Sequence, residues 1–294
     1  MFFTITTMPE KFLDQYREQL ELFVDQALAE DLGEGDHSSL SCIDPESQSS
    51  AQLLVKENGR IAGLALAQLI FSRYDSRLQV ELLLEEGEVV KKGDLAFRVH
   101  GPTQSLLATE RLFLNTMQRM SGITTLTDRL NQKIRHTSCT LLDTRKTSPN
   151  FRFPEKWAVL IGGGSNHRMG LFDALMIKDN HIDFCGGVAQ ALQKTTQYLT
   201  NLATPMEVVV ECRNQEEIKA ALPFACVTRI LLDNHSPEEL VRAIALIDGK
   251  KPTEASGTIT EKNLVEFAET GVDFISMGAL TYEAKSLDLS LKAL

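Results

Sequence analysis

No apolar run in the 294 residues approaches the roughly 18 consecutive apolar positions of a membrane span. Only Phe2-Phe3 gives the N-terminus an apolar start, so neither an anchor nor a signal peptide is expected. Cysteine is sparse. Cys42, Cys139, Cys185, Cys212 and Cys226 are odd in number and lack CxxC spacing, which argues against a disulfide framework or a cysteine zinc site. Free thiols in a reducing, cytoplasmic setting are the expectation. Positive charge is also short: 30 Lys and Arg against 40 Asp and Glu leave a net charge of −10. Nucleic acid is therefore a poor candidate partner, because its binders carry a basic face. Three catalytic signatures are missing as well. No GxGxxG follows a strand with an acid at the expected distance, no Walker A motif occurs, and no GxSxG elbow supports serine hydrolysis.

What is present is ordinary in composition, 43% apolar and 24% charged, at a length that suits one large domain or two modest ones. Residues 9–30 carry Leu13, Tyr16, Leu20, Phe23 and Ala27 at steps of three and four, predicting an amphipathic helix. Short β-rich runs at 51–55, 78–84 and 95–99, separated by Gly59, Gly87 and Gly93, predict a compact sheet closed by Gly101-Pro102. A helix over 104–121 follows, with Leu106, Phe113, Met117 and Met120 on one face. From residue 139 apolar runs of strand length recur, at 140–143, 174–178, 208–211, 230–233, 253–256 and 274–278, most separated by helical patterns. In the best of these, Ser236 and Glu239 form a capping box, Pro237 takes the first helical position and Gly249 lies past the end. Strand–helix alternation with strands apolar on both faces means a parallel sheet, open or closed into a barrel.

Both architectures place ligands at the carboxyl ends of the strands. Those ends carry Asp143-Thr144-Arg145-Lys146, Lys178-Asp179-Asn180, Glu211, Asp233-Asn234, Ser256-Gly257 and Gly278. Any one of these could be a turn or cap; six together predict a shared site. Between Arg135 and Asn180 a basic island stands out, with Arg135, Arg145, Lys146, Arg152, Lys156, Arg168 and Lys178 against Asp143, Glu155, Asp173 and Asp179. Arginine grips carboxylates through paired, charge-assisted hydrogen bonds, and lysine supplies a point charge for carboxylate or phosphate. A single such cation is ordinarily a solvated surface residue, but Arg145-Lys146 directly follow a buried-type strand. Gly162-Gly163-Gly164 before Ser165-Asn166-His167-Arg168 could form an anion-binding nest of backbone N–H groups. His167 is by itself as readily a core histidine as a ligand contact. Glu211 and Asp233 end consecutive strands and could hold one Mg²⁺, which keeps waters and phosphate oxygens; zinc is disfavoured without a His/Cys cluster. Small residues at Ser256-Gly257-Thr258 and Gly278-Ala279 suit a phosphate site. These features add up to an anionic acid, a phosphorylated co-substrate and a divalent metal.

Several stretches resemble the quinolinate phosphoribosyltransferase family: Leu142-Asp143-Thr144-Arg145-Lys146-Thr147, Glu155-Lys156-Trp157-Ala158-Val159, Gly162 through Leu171, and Ile177-Lys178-Asp179-Asn180-His181. Glu30-Asp31-Leu32-Gly33, Glu110-Arg111, Ser121-Gly122-Ile123, Leu231-Leu232-Asp233-Asn234, Glu254-Ala255-Ser256-Gly257 and Gly278-Ala279-Leu280-Thr281 extend the likeness over about residues 28–290. The resemblance implies an α/β fold: an N-terminal α/β sandwich domain over 1–115, joined by the C-terminal segment 281–294. It also implies an irregular open (β/α) barrel of six to seven parallel strands over 116–280. It implies transfer of a phosphoribosyl group to quinolinate with loss of pyrophosphate and CO2, Mg²⁺ as cofactor, and a homodimer in which Arg111 reaches the partner's site. Thr144, Arg145, Lys146, His167, Arg168 and Lys178 match substrate positions. Glu211 and Asp233 match the metal and ribose side, and Ser256, Gly257, Gly278 and Ala279 the phosphate turns. Lys146, Lys178, Glu211 and Asp233 are the candidate catalytic groups. The chain departs from the family pattern at Thr258, where glycine is common, at Tyr282, where histidine is common, and at Val209, where an acid is common. The alternative is a relative linked to nicotinate or molybdate metabolism. The Glu86–Asp94 stretch, with its likeness to half of a lipoyl-carrier motif, lacks the modifiable lysine and reads as sheet scaffold.

Overall fold

The computed structural model describes residues 8–294. Two compact units emerge. One comprises residues 8–128 with Thr147–Gly163 and Leu280–Leu294; the other comprises Arg129–Lys146 and Gly164–Ala279.

The first unit is built on a four-stranded antiparallel sheet. Its strands are β1 (Gln48–Val55), β3 (Gln79–Leu82), β5 (Leu95–Pro102) and β12 (Leu289–Ala293), in the order β12-β1-β5-β3. The short strands β2 (Gly59–Arg60) and β4 (Val89–Val90) pair separately. Alternation in β1 buries Ala51, Leu53 and Val55 on one face. Phe71, Phe97 and Phe113 meet there with ring centroids 4.9–5.9 Å apart, offset and edge-on contacts that aromatic rings prefer. The helix Leu64–Tyr74 starts where Glu86 caps it, accepting hydrogen bonds from the Gly63 and Ala65 N–H groups.

Two helical expectations change in this unit. The helix predicted over 9–30 is two helices, Pro9–Gln15 and Arg17–Leu32. Tyr16 between them leaves helical geometry (φ −120°), and its ring packs on Phe12 and Phe153 at 4.6 and 5.3 Å. Conversely, the helix predicted over 104–121 runs from Thr103 to Ile134. Gly122 does not end it; a Cβ there would lie 2.0 Å from the Lys285 carbonyl oxygen, so the glycine serves close approach rather than termination. Thr147–Gly163 belongs to this unit through Glu155, fully buried, which accepts hydrogen bonds from Arg119 (3.0 and 2.9 Å) and from Ser148. Trp157 stacks on Phe12 and donates to the Pro9 carbonyl at 2.9 Å.

The second unit holds the six expected strands: β6 (Thr140–Leu142), β7 (Ala174–Ile177), β8 (Glu207–Cys212), β9 (Arg229–Asp233), β10 (Thr253–Ser256) and β11 (Phe274–Ser276). All neighbours pair in parallel, in the order β6-β11-β10-β9-β8-β7. Val208, Val209, Val210, Ile230, Leu232 and Ala255 are buried, as sheets covered on both faces require. The helix Pro237–Ile247 has the expected capping box: Glu239 N–H donates to Ser236 Oγ, and Ser236 N–H to Glu239 Oε2.

Candidate functional site

Parallel pairing lines up the carboxyl ends of the strands in the second unit. Ser276 pairs with both Leu142 and Ser256, and Ser256 pairs with Asp233. Glu211 pairs with Leu231, and Val210 with Ile177. Following the strand order, one edge therefore presents Arg145-Lys146 after β6, Gly278-Ala279 after β11 and Ser256-Gly257 at β10. Asp233 ends β9, Glu211 lies near the end of β8, and Lys178 follows β7. The row runs basic, neutral, acidic, basic.

At the first basic end, Thr144 turns the chain out of β6 by accepting the Lys146 N–H at 3.0 Å. Asp143, fully buried, accepts from the His167 N–H at 2.9 Å and from the Asn166 amide at 2.6 Å. Ser165 bridges to Leu142 as one further parallel contact. His167 and Arg168 are thereby fastened beside β6. Burial lowers the Arg168 guanidinium from its ordinary value, and repulsion from Arg145 adds to that. Two like charges held together in this way favour an anion between them. Two of the three backbone N–H groups read as a possible anion nest at Gly162–Gly164 are used within the protein. Gly162 and Gly163 donate their N–H groups to the Ala158 and Leu160 carbonyls, and Ser165 to Leu141, so these donors close a helix and a strand.

At the acidic end, burial raises the Glu211 carboxyl, Asp233 beside it raises it further, and Lys178 opposes both. Lys178 Nζ lies 3.8 Å from Glu211 Oε2, with its side chain half exposed. Two carboxylates that repel each other suit a divalent cation. Among the described residues no group of three or more His, Cys, Asp or Glu is placed to hold a metal ion.

Between these ends lies the turn after β10. Gly257 takes φ +87°, and a Cβ there would sit 2.2 Å from Asn234 Oδ1, so only glycine fits. Thr258 also lies in the left-handed region, at φ +53°, and its carbonyl accepts from Asn263 Nδ2 at 3.2 Å. Arg111 lies in the first unit. It is exposed on the helix Thr103–Ile134, lining a cleft of about 450 Å³ with Glu30, Asp31, Asn115 and Arg119.

Reading the sequence alone misses a buried charge network beneath this row. Arg229 opens β9 and Glu254 sits inside β10, both in otherwise apolar strands. Arg229 Nη1 donates to Glu254 Oε2 at 3.0 Å, and its guanidinium lies 4.2 Å from the Phe274 ring centre. His167 Nε2 faces the same oxygen at 3.4 Å. Burial works to raise the Glu254 carboxyl, but the facing His167, Arg229 and Ser276 outweigh it and hold it at about 2. The available signal was a pair of charges inside doubly buried strands, where an unpaired charge is too costly to persist.

Comparison with known proteins agrees over nearly the whole chain. The sequence models of the quinolinate phosphoribosyl transferase N-terminal and C-terminal domains match residues 36–121 and 123–292. Quinolinate phosphoribosyltransferase [decarboxylating] 1b of Nicotiana tabacum is 44% identical over 281 residues, covering 90% of this chain and 80% of that protein. The probable nicotinate-nucleotide pyrophosphorylase [carboxylating] of Bacillus subtilis is 38% identical, covering 93% of each. The crystal structure of NadC from Streptococcus pyogenes superposes with a TM-score of 0.86 at 36% identity, covering 96% of this chain and 98% of that one.

Proposed function

Because this chain belongs to the quinolinate phosphoribosyltransferase family, we propose that it joins quinolinate to phosphoribosyl pyrophosphate. The products are nicotinate mononucleotide, pyrophosphate and CO2, a step of NAD biosynthesis. The observation that carries this reading is the order of charges along the strand ends, with cations at both ends, small uncharged residues in the middle and two repelling acids. A substrate with two carboxylates and a partner with several phosphates answers that row term by term.

On this reading Arg145 and Arg168 hold the carboxylates of quinolinate and orient its ring nitrogen toward the sugar. Thr144 shapes their loop. As the ring nitrogen bonds to the sugar carbon, the bond to pyrophosphate breaks, and Lys146 and Lys178 stabilise the departing anion. Ser256, Gly257, Gly278 and Ala279 receive phosphate oxygens. Glu211 and Asp233 would hold a magnesium ion, which would supply positive charge against the departing pyrophosphate. The positive nitrogen of the transferred ring stabilises the electron pair left on the adjacent carbon as its carboxylate leaves as CO2, and that carbon then takes a proton from water. That step asks for no protein nucleophile. Arg111 serves the site of a second copy in a homodimer. Mixed dimers of Arg111→Ala and Lys178→Ala chains then regain part of the activity, and verified subunit exchange without recovery counts against sharing.

The direct test is pyrophosphate release with magnesium and phosphoribosyl pyrophosphate, comparing quinolinate with nicotinate. Turnover on quinolinate alone is expected. Turnover on nicotinate alone would assign the cations to phosphates, and silence on both would point to a relative with another acceptor.

A further inference from the structure

His167 lies among the cations of the row, yet its ring is turned inward, with Nε2 3.4 Å from Glu254 Oε2 and without a formed hydrogen bond between them. Its side chain is 7% exposed. The Arg168 backbone N–H donates to Nδ1 at 2.7 Å, and with Nδ1 as acceptor the neutral ring carries its proton on Nε2. Nε2 is turned inward to Glu254, which Arg229 anchors from the neighbouring strand. The His167 backbone N–H is taken by Asp143. Both ring nitrogens and the backbone N–H of His167 thus face protein groups, and the next residue is Arg168, whose Nη1 donates to the Ala174 carbonyl at 3.2 Å.

We infer that Glu254 is a positioning residue that acts through the Nε2–H tautomer of His167 to set the direction of the Arg168 guanidinium. The mechanism follows from these contacts. A carboxylate behind Nε2 keeps the proton on that nitrogen, which leaves Nδ1 as an acceptor for the Arg168 N–H. Loss of the carboxylate frees the ring to turn or change tautomer. The peptide that carries Arg168 then loses one of its fixed points. Asp143 and Arg229 are the two supports of the same device, one at the His167 backbone and one at Glu254. No proton transfer to substrate is assigned to His167.

This inference rests on the functional reading above, since its kinetic readout is the grip on quinolinate. The test is a double-variant cycle with Glu254→Gln, Arg168→Ala and the combined variant. Glu254→Gln is expected to raise the KM for quinolinate about tenfold, with the KM for phosphoribosyl pyrophosphate moving less than about threefold. Added to Arg168→Ala, it is expected to cost less than about twofold more, because residues acting through one contact are not additive. An unchanged quinolinate KM in Glu254→Gln, or full multiplication of the two losses, would overturn the inference. A variant that fails to fold leaves a second measurement on the unaltered protein. There, ¹⁵N NMR of the imidazole, assigned with His167→Gln, should find the proton on Nε2 and Nδ1 bare. A proton on Nδ1 sinks the proposal. Failure of the unaltered protein to turn over quinolinate would strike the functional reading instead, and the tautomer would still judge this one.

Discussion

Two glutamates two strands apart behave in opposite ways. Glu254 on β10 is walled in, paired with Arg229 and faced by His167, and its carboxyl is held down at about 2. Glu211 on β8 stands at the rim with Asp233 beside it and one loosely held lysine, and its carboxyl is pushed up. Burial acts to raise both; the neighbours decide. A buried acid whose partners are all protein residues belongs to the scaffold. An acid left in repulsion at a strand end belongs to a site that something else completes.

Breaking the interior pair should give the largest effect. Arg229→Met leaves Glu254 charged, buried and without its guanidinium, and is expected to cost about 3–5 kcal/mol of stability by denaturant unfolding. A loss under about 1 kcal/mol would show that the carboxylate relaxes or protonates without penalty. Next comes the basic end of the rim. Arg145→Ala should lower kcat/KM on the order of 10²-fold with the fold intact, from one lost charge-assisted contact; a near-normal value in folded protein removes Arg145 from the site.

The smallest effects sharpen the contrast by sign. For Glu254, whose folded value lies below the ordinary 4.5, stability is complete above that value and erodes as pH falls toward 2. For Glu211, raised above 4.5, the folded state binds the proton more tightly, so stability falls as pH rises from 4.5 through the raised value. Glu211→Gln should therefore leave stability unchanged or up to about 1 kcal/mol higher near neutral pH, while weakening magnesium binding in calorimetry. A clear loss of stability instead would place Glu211 with the scaffold.

The six parallel strands were legible because each is a short apolar run ended by polar residues, and the helix after β9 because its cap, first proline and closing glycine are local signals. The row of strand-end groups was legible for the same reason, since parallel pairing carries any strand's last residue to one edge. Register was not. That Arg229 meets Glu254, and that His167 turns toward them, depends on how three separate segments align, and no spacing in the chain encodes it. The helix break at Tyr16 was hidden because its periodicity continues straight through; only the packing of Tyr16 against Phe12 and Phe153 separates the two helices. The helix predicted over 104–121 was cut short, because the residues beyond 121 include a glycine that is kept for close approach to Lys285 and carries no apolar side chain to continue the pattern.

The antiparallel sheet of the first unit has a consequence for biosynthesis. Strand β1 is flanked by β5 on one side and by β12 on the other, with Ala51 opposite Ala293 and Val55 opposite Leu289. Its second neighbour leaves the ribosome only after the whole parallel sheet has been made. During that interval β1 is an open edge with an apolar face, the kind of surface that recruits another chain. Nascent protein should depend on chaperone shielding until residues 289–293 emerge, and products stalled before them should aggregate through β1.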